Sequence, residues 1–435
     1  MRAKGQAGNP VTILDPVHGF LRLSDAELAV VDTGVFQRLR LIRQLASAYL
    51  AYPGANHTRF EHSLGVMHVS GLSSSILEEK GYMNADEKRM VRLGALMHDV
   101  GHGPFSHVLD ELIYEKGGES HEDTSQRVIK KSAIAEALSS HGFSPKEMSE
   151  LAVGKSRSRK GFMNELIAGG LSADLMDYLL RDSYYTGAGF GRVTIERIID
   201  SFEVHNERLA LQKDALSTFE SLAIARYEMF KSVYFHKTVR AAESMVLRAF
   251  QLCDEELRLS NTKDLNLFLG RTDESVIREI LSLDSHSQEI RKSQQLVRDY
   301  LGRRLVKCVY EKVILRRERI AEKILSQQPI RDKLRQELAD DTGIDPDHIF
   351  IDIPTTPSVP FTSERESFAG LELLTKKSGR IQVSRVSLAD LPTVQAISGY
   401  MDILRVYTTS ENREKLEKAS RRILGVPDYS EKISV

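Results

Sequence analysis

The chain has 435 residues, 41% hydrophobic and 28% charged with only 12 prolines, which excludes collagen-like and wholly disordered classes. Lys and Arg number 60 against 61 Asp and Glu, so a net charge of -1 offers no whole-molecule attraction to nucleic acid or membrane. An anionic substrate must be drawn by local charge.

Cys253 and Cys308 match no metal or redox spacing and read as ordinary thiols. No apolar run approaches the roughly 18 residues of a membrane span. MRAKGQAGNP lacks the apolar core of a signal peptide, so a cytoplasmic location is expected. One hydrophobic core rarely serves a chain this long, which predicts a large domain with a second lobe.

In chain order, residues 1–10 read as a flexible arm and VTILD as a β-branched stretch before a Pro/Gly turn. Ser24, with Glu27 three residues on, has the spacing of a helix-opening capping box. Apolar residues recur at helical spacing from Val35 to Tyr49. Two further helices follow in TRFEHSLGVMHVSGLSSSILEEK and NADEKRMVRLGALMHDV, the second opened by Asn84 or Asp86. It must end near Val100, because Gly101, Gly103 and Pro104 come next.

Helical patterns resume at 106–116, 121–140, 144–152, 162–168, 172–185, 193–202 and 214–260. KSRSRK (155–160) reads as a solvated loop, and 274–345 as charge-rich helix. HIFIDIP (348–354), RIQVSRVSL (380–388) and YMDILRVYTT (400–409) read as strands. PTTPSVP (354–360) is a rigid connection and REKLEKASRRIL a closing amphipathic helix. The expected fold is mainly α: an all-helical domain over 11–245, then a helical and smaller α+β C-terminal region over 246–435.

LMHDVGHGPFSH (96–107) crowds three histidines and an aspartate among glycines. Its HDVGH resembles the zinc-protease pattern HExxH, but that pattern needs an unbroken helix to put both histidines on one face. Gly101 lies between His98 and His102, so the protease reading fails. Adjacent His98 and Asp99 are instead a pair delivered at a helix end, an imidazole and a carboxylate that a divalent metal can use. Further ligands must come from elsewhere. RFEHSLG supplies His62, with His57 just before it, and LSADLMDYLLRD carries Asp174, Asp177 and Asp182 in an otherwise apolar helix.

Taken together, FQRLRLIRQL (36–45), YPGANHTRFEHSLGV (52–66), HDVGHGPFSH (98–107) and DYLLRDSYY (177–185) resemble the HD superfamily of metal-dependent phosphohydrolases. More narrowly, the chain resembles its deoxynucleoside triphosphate triphosphohydrolases over roughly residues 12–250. The family pattern H…HD…D falls on His62, His98, Asp99 and Asp174. The resemblance implies that these four ligate one divalent ion, with Fe, Mn, Zn, Ni, Co and Mg not distinguishable, and leaves room for Mg arriving with the triphosphate. It places His102, His107, Asp110 and His121 in catalysis, His107 with Asp110 as the acid pair. Arg59, Arg226 and Lys231 match phosphate contacts. Tyr178, Asp182 and Tyr234 match the deoxyribose pocket, and Gln44 and Leu45 match sugar and base-edge contacts. Asp32, Gln37 and Arg40 match a regulatory nucleotide site, which permits an activating nucleotide without requiring one.

The function expected is hydrolysis of deoxynucleoside triphosphates to deoxynucleoside and tripolyphosphate, by a homo-oligomer (dimer or tetramer). A phosphohydrolase acting on nucleoside monophosphates or cyclic nucleotides would use the same metal residues. A nucleotide sensor or nucleic-acid binder is a third reading, supported only by KSRSRK and opposed by the near-neutral charge.

Overall fold

Alternating residues in VTILD and GFLRL pair as an antiparallel hairpin, β1 (Val11–Asp15) and β2 (Gly19–Leu23), with Gly19 at a φ of 73° closing the turn. The computed structural model describes residues 11–284, 286–315, 327–353, 371–377, 380–386, 391–392 and 400–427. The arm expected over 1–10 and the PTTPSVP connection lie outside them.

Ser24 caps α1 (Asp25–Val31) through the predicted box with Glu27. The helix predicted over 35–49 is not formed. Only α2 (Gly34–Gln37) and two 3-10 turns, Arg38–Leu41 and Ala48–Leu50, appear there. The chain between the turns pairs elsewhere: Gln44 N–H donates to the His57 carbonyl (3.0 Å), and Arg59 N–H donates to that of Ile42 (3.0 Å). Tertiary pairing overrides the local periodicity.

Thr58 with Glu61 opens α3 (Arg59–Glu79), and Asn84 with Glu87 opens α4 (Ala85–Met97). Then come α5 (His107–Glu115), α6 (His121–Lys131), α7 (Ala133–Ser140), α8 (Pro145–Ala152), α9 (Gly161–Ile167), α10 (Ala173–Thr186) and α11 (Ile195–Asp200). Ser132 ends α6 and caps α7, breaking the single helix predicted over 121–140. KSRSRK is exposed in part but tied down, with Lys155 on Glu122, Arg159 on Glu147 and Lys160 on Glu87.

A second hairpin, β3 (Phe202–His205) and β4 (Arg208–Gln212), turns on Asn206 and Glu207 at positive φ (48° and 59°). The predicted helix over 214–260 is three pieces: α12 (Leu216–Met229), a π turn (Phe230–Tyr234) and α13 (Lys237–Leu257). Beyond lie α14 (Leu265–Leu269), α15 (Asp273–Ser282), α16 (Gln288–Leu301), β5 (Lys307–Leu315), α17 (Gln328–Thr342), β6 (Ile349–Asp352), β7 (Leu371–Lys377), β8 (Arg380–Val386), β9 (Tyr400–Thr408) and α18 (Arg413–Leu424). β5 interrupts the stretch read as helix, because KCVYEKVIL is drawn into an antiparallel ladder with β9.

The boundary expected at 245 falls inside α13, and β7 returns to pair with β4, with β8 beyond it, in a sheet ordered β3-β4-β7-β8. The other C-terminal sheet is β5-β9-β6. One apolar core joins α1 to α12 with Leu371 and Leu373, while a second clusters α5 against α13, α15 and α16. Arg405 of β9 is fully buried and donates to the Phe235 carbonyl (2.6 Å), tying the C-terminal sheet to the end of the π turn.

α3 and α10 meet where α3 has Gly65. A Cβ there would lie 1.9 Å from Asp177 Oδ1 and 2.4 Å from Arg181 Nη2, so no side chain fits. Gly65→Ala is expected to cost about 1–3 kcal/mol or more, as overpacking does. Urea unfolding measures it: the midpoint should fall, and an unchanged midpoint would contradict this packing.

Candidate metal centre and active site

The first turn of α3 carries Arg59 and His62, and α4 ends at Met97 so that His98 and Asp99 emerge at its C-terminus. Gly101 lets α6 approach this corner, since a Cβ would lie 2.2 Å from the Ser125 nitrogen and 2.5 Å from the His121 carbonyl. Ser125 Oγ accepts from Gly101 N–H (2.9 Å) and donates to the His98 carbonyl (3.0 Å). α10 presents Asp174 in its first turn, behind the Ser172 cap.

These four residues converge. His62 Nε2 lies 3.1 Å from Asp174 Oδ1 and 3.8 Å from Asp99 Oδ2. His98 Nε2 lies 3.2 Å from Asp99 Oδ1 and 3.6 Å from Asp174 Oδ1. Bonds of about 2.0–2.2 Å to one ion put neighbouring donors roughly 3–3.6 Å apart, so the set fits a single cation.

The outer nitrogens fix the tautomers. His62 Nδ1 is 2.8 Å from Asp177 Oδ2, and His98 Nδ1 donates to the Ala95 carbonyl (2.8 Å). Both Nε2 lone pairs are thereby left to face the cluster. His98 Nε2 is buried and makes no hydrogen bond among the described residues. Asp174 is the open member, its side chain 37% exposed against 1% for His62 and 10% for His98, so access is from its side.

The electrostatics demand positive charge here. Burial disfavours a charged His62, but its hydrogen bonds to the carboxylates of Asp174 and Asp177 push its pKa up to about 10. His98 is raised as well: burial opposes it, and Asp99 and Asp174 outweigh burial. Asp99 is held well below the usual carboxylate range, burial being overcome by His98 and Arg59.

A second cluster adjoins the first. Asp110 Oδ2 lies 3.1 Å from His121 Nδ1, 3.3 Å from His107 Nδ1 and 3.4 Å from His102 Nδ1. His102 and His121 stack at 4.1 Å. Burial and the charges of Arg59 and His121 drive the His102 pKa down to about 3, so it stays neutral. His121 is raised, Asp110 overcoming burial. His107 has its side chain 73% exposed and is the open imidazole of the three.

On the other flank, Asp182 takes His57 Nε2 on one oxygen (2.8 Å) and the Tyr234 hydroxyl on the other (2.6 Å). Tyr178 packs edge-on to Tyr234 at 6.2 Å. Lys231 and Tyr234 sit in the π turn, with Arg226 at the end of α12 over the Phe230 ring. Among the described residues Gln44 Oε1 is buried without a partner, and Leu45 packs against the main core. Arg59 donates Nε to Ser106 Oγ (2.8 Å) and Nη1 to Asp99, leaving Nη2 buried without a partner among the described residues.

Asp32, Gln37 and Arg40 lie apart from this group: Asp32 is exposed at the end of α1, Arg40 Nε donates to Gln37 Oε1 (2.8 Å), and Arg40 covers the Phe60 ring.

Residues without an expected role also enter the site. Asp177 accepts from His62, from His18 Nε2 (2.6 Å) and from Arg181 Nε (2.9 Å), and Arg181 reaches Asp15 (2.8 Å). The i,i+4 spacing of Asp177 and Arg181 on a buried helix face was the one sequence signal for this network. His18 carried none, since its partner lies 159 residues away.

Residues 59–182 match the family model described as HD domain, and residues 193–434, more than half of the chain, match the one described as HD associated region. The chain is 41% identical over 241 residues to an uncharacterized protein of Methanocaldococcus jannaschii, covering 54% of this chain and 48% of that one. It is 31% identical over 317 residues to the deoxynucleoside triphosphate triphosphohydrolase SAMHD1 homolog of Dictyostelium discoideum, covering 69% and 60%. Against the human deoxynucleoside triphosphate triphosphohydrolase SAMHD1 the identity is 27% over 345 residues, covering 69% and 55%. The chain thus spans about half to three-fifths of the length of these relatives. A solved structure of a hypothetical protein from Aquifex aeolicus superposes with a TM-score of 0.73 at 27% identity, covering 94% of this chain and all of that one.

Imidazoles must shed protons to ligate, so a divalent ion at this set displaces them from His62 and His98. Because both are raised, the apparent metal affinity should climb with pH across roughly pH 6 to 9. Chelator competition at several pH values measures this, and a pH-independent affinity would refute it. Asp99→Ala should remove the bound metal.

Proposed function

This chain belongs to the HD-domain family, and on that premise we propose that it hydrolyses deoxynucleoside triphosphates to deoxynucleoside and tripolyphosphate. The observation that carries the reading is the convergence of His62, His98, Asp99 and Asp174 beside the His–Asp110 cluster, with Tyr178 and Asp182 on the same helix as Asp174. The two relatives named as triphosphohydrolases support the substrate.

His62, His98, Asp99 and Asp174 would hold one divalent ion, which supplies Lewis acidity toward phosphoryl oxygens and lowers the pKa of water. Nη2 of Arg59, buried without a partner among the described residues, would take a phosphate oxygen, and Arg226 and Lys231 would add charge along the triphosphate. His121, its pKa raised by Asp110, would stand ready to donate to a phosphate oxygen. His107, over Asp110 and open to solvent, would donate a proton to the departing 5′ oxygen as the bond to the α-phosphorus breaks. His102, buried and neutral, packs behind them.

The sugar and base face the other flank. Asp182, braced between His57 and Tyr234, would accept from the deoxyribose hydroxyl. Tyr178 would close against C2′, where a ribose hydroxyl has no room. Gln44 Oε1 has an unmet acceptor for a base or sugar donor. An activating nucleotide at Asp32, Gln37 and Arg40, acting through a homo-oligomer, completes the proposal.

The protein, a divalent metal and each deoxynucleoside triphosphate, with and without GTP, should release deoxynucleoside and tripolyphosphate. Pyrophosphate with nucleoside monophosphate would sink this reading. Tyr178→Ala should raise ribonucleotide turnover relative to deoxyribonucleotide turnover by about tenfold or more. An unchanged ratio would remove Tyr178 from the pocket.

A further inference from the structure

The bend that delivers His107 is strained. Phe105 has a φ of 58° and Ser106 a φ of 49° with ψ of -114°, conformations costly for residues with a Cβ. Neither residue is glycine, although Gly101 and Gly103 stand just before them. Local chemistry does not favour this bend, so surrounding contacts must hold it.

They come from two distant segments. From the N-terminal side, Arg59 Nε donates to Ser106 Oγ (2.8 Å), Ser106 Oγ donates to the Arg43 carbonyl (3.2 Å), and Arg38 Nη1 donates to the His102 carbonyl (2.9 Å). From the C-terminal side comes Asp273, the first residue of α15, only 1% exposed. Its Oδ1 accepts from Phe105 N–H (2.8 Å) and its Oδ2 from Arg43 N–H (3.0 Å), with the Arg43 guanidinium at 3.5 Å. One carboxylate therefore binds both the strained bend and the residue before Gln44. Burying a carboxylate is costly. Burial indeed pushes its pKa up, against the two amide donors and Arg43.

We infer that Asp273 is a positioning residue for the reaction: it clamps the Phe105–Ser106 bend to the Arg43–Leu45 segment and so sets His107 and Gln44 in one frame. The carboxylate touches neither the metal set nor the phosphate-facing groups; it acts through the backbone. Helix α5 is seated on the second core, where Phe105, Leu109 and Leu112 pack with Phe250 and Tyr300. Both its anchor and its clamp are therefore supplied from the HD-associated region.

The activity arm of the test rests on the proposed hydrolysis; the exchange arm does not. Asp273→Ala in the full chain should retain bound metal while kcat falls about tenfold or more, because small misplacements of an acid are costly. The limb of the kcat–pH profile that reports the acid should shift. Asp273→Asn, which keeps a carbonyl oxygen for Phe105 N–H, should recover most of kcat. Hydrogen exchange should find the Phe105 amide protected in the wild type and about tenfold or more faster in Asp273→Ala. If the wild type hydrolyses no deoxynucleotide, the proposed function fails while the exchange result still decides the clamp. A folded Asp273→Ala with unchanged exchange at Phe105, or with unchanged kcat and pH profile in an active enzyme, would overturn the inference.

Discussion

The site depends on one buried carboxylate. Asp177, fully excluded from solvent, takes hydrogen bonds from His18, His62 and Arg181 and passes through Arg181 to Asp15. A charge so buried must be met on every lone pair, and removing one partner of such a pair costs about 3–5 kcal/mol. The network joins the N-terminal hairpin, α3 and α10, the last two carrying His62 and Asp174. By accepting the Nδ1 proton of His62, Asp177 also aims Nε2 at the metal set, so packing and chemistry are secured by the same contact.

The active site lies between two cores rather than inside one. The metal residues stand on helices of the first core, whereas His107 and Asp110 ride on α5, whose apolar face belongs to the second. The HD motif ends α4, and the glycine bend carries the chain from one core to the other. This explains why that stretch is crowded with polar groups yet almost wholly buried, with only His107 exposed. The HD-associated region also ties back to α5 and the bend before it: Asp273 accepts from Phe105 N–H, and Arg331 pairs with Glu111 and Glu115.

Two of the failures of local reading share a cause. The amphipathic stretch at 35–49 has helical spacing, but ladder bonds to 57–59 claim its backbone. The stretch at 214–260 keeps its periodicity across Phe230–Tyr234, where the ladder nonetheless widens to a π turn. The strand at 307–315 lay within a charge-rich helical run, and its partner is about 90 residues away. In the first and third cases pairing beyond the segment overrode local propensity.

By itself the sequence determined the helical class, the capping box at Ser24, the start of α4 at Asn84 or Asp86 and its end at the HD pair, and the identity of the convergent His and Asp set, because these rest on local chemistry and an ordered motif string. Only the tertiary structure decided that His62 is oriented by Asp177, that His102 is held neutral while Asp110 raises the His121 pKa, and that Asp273 reaches the bend before His107. Those facts depend on burial and on partners from 11 to 168 residues apart, which no local pattern encodes.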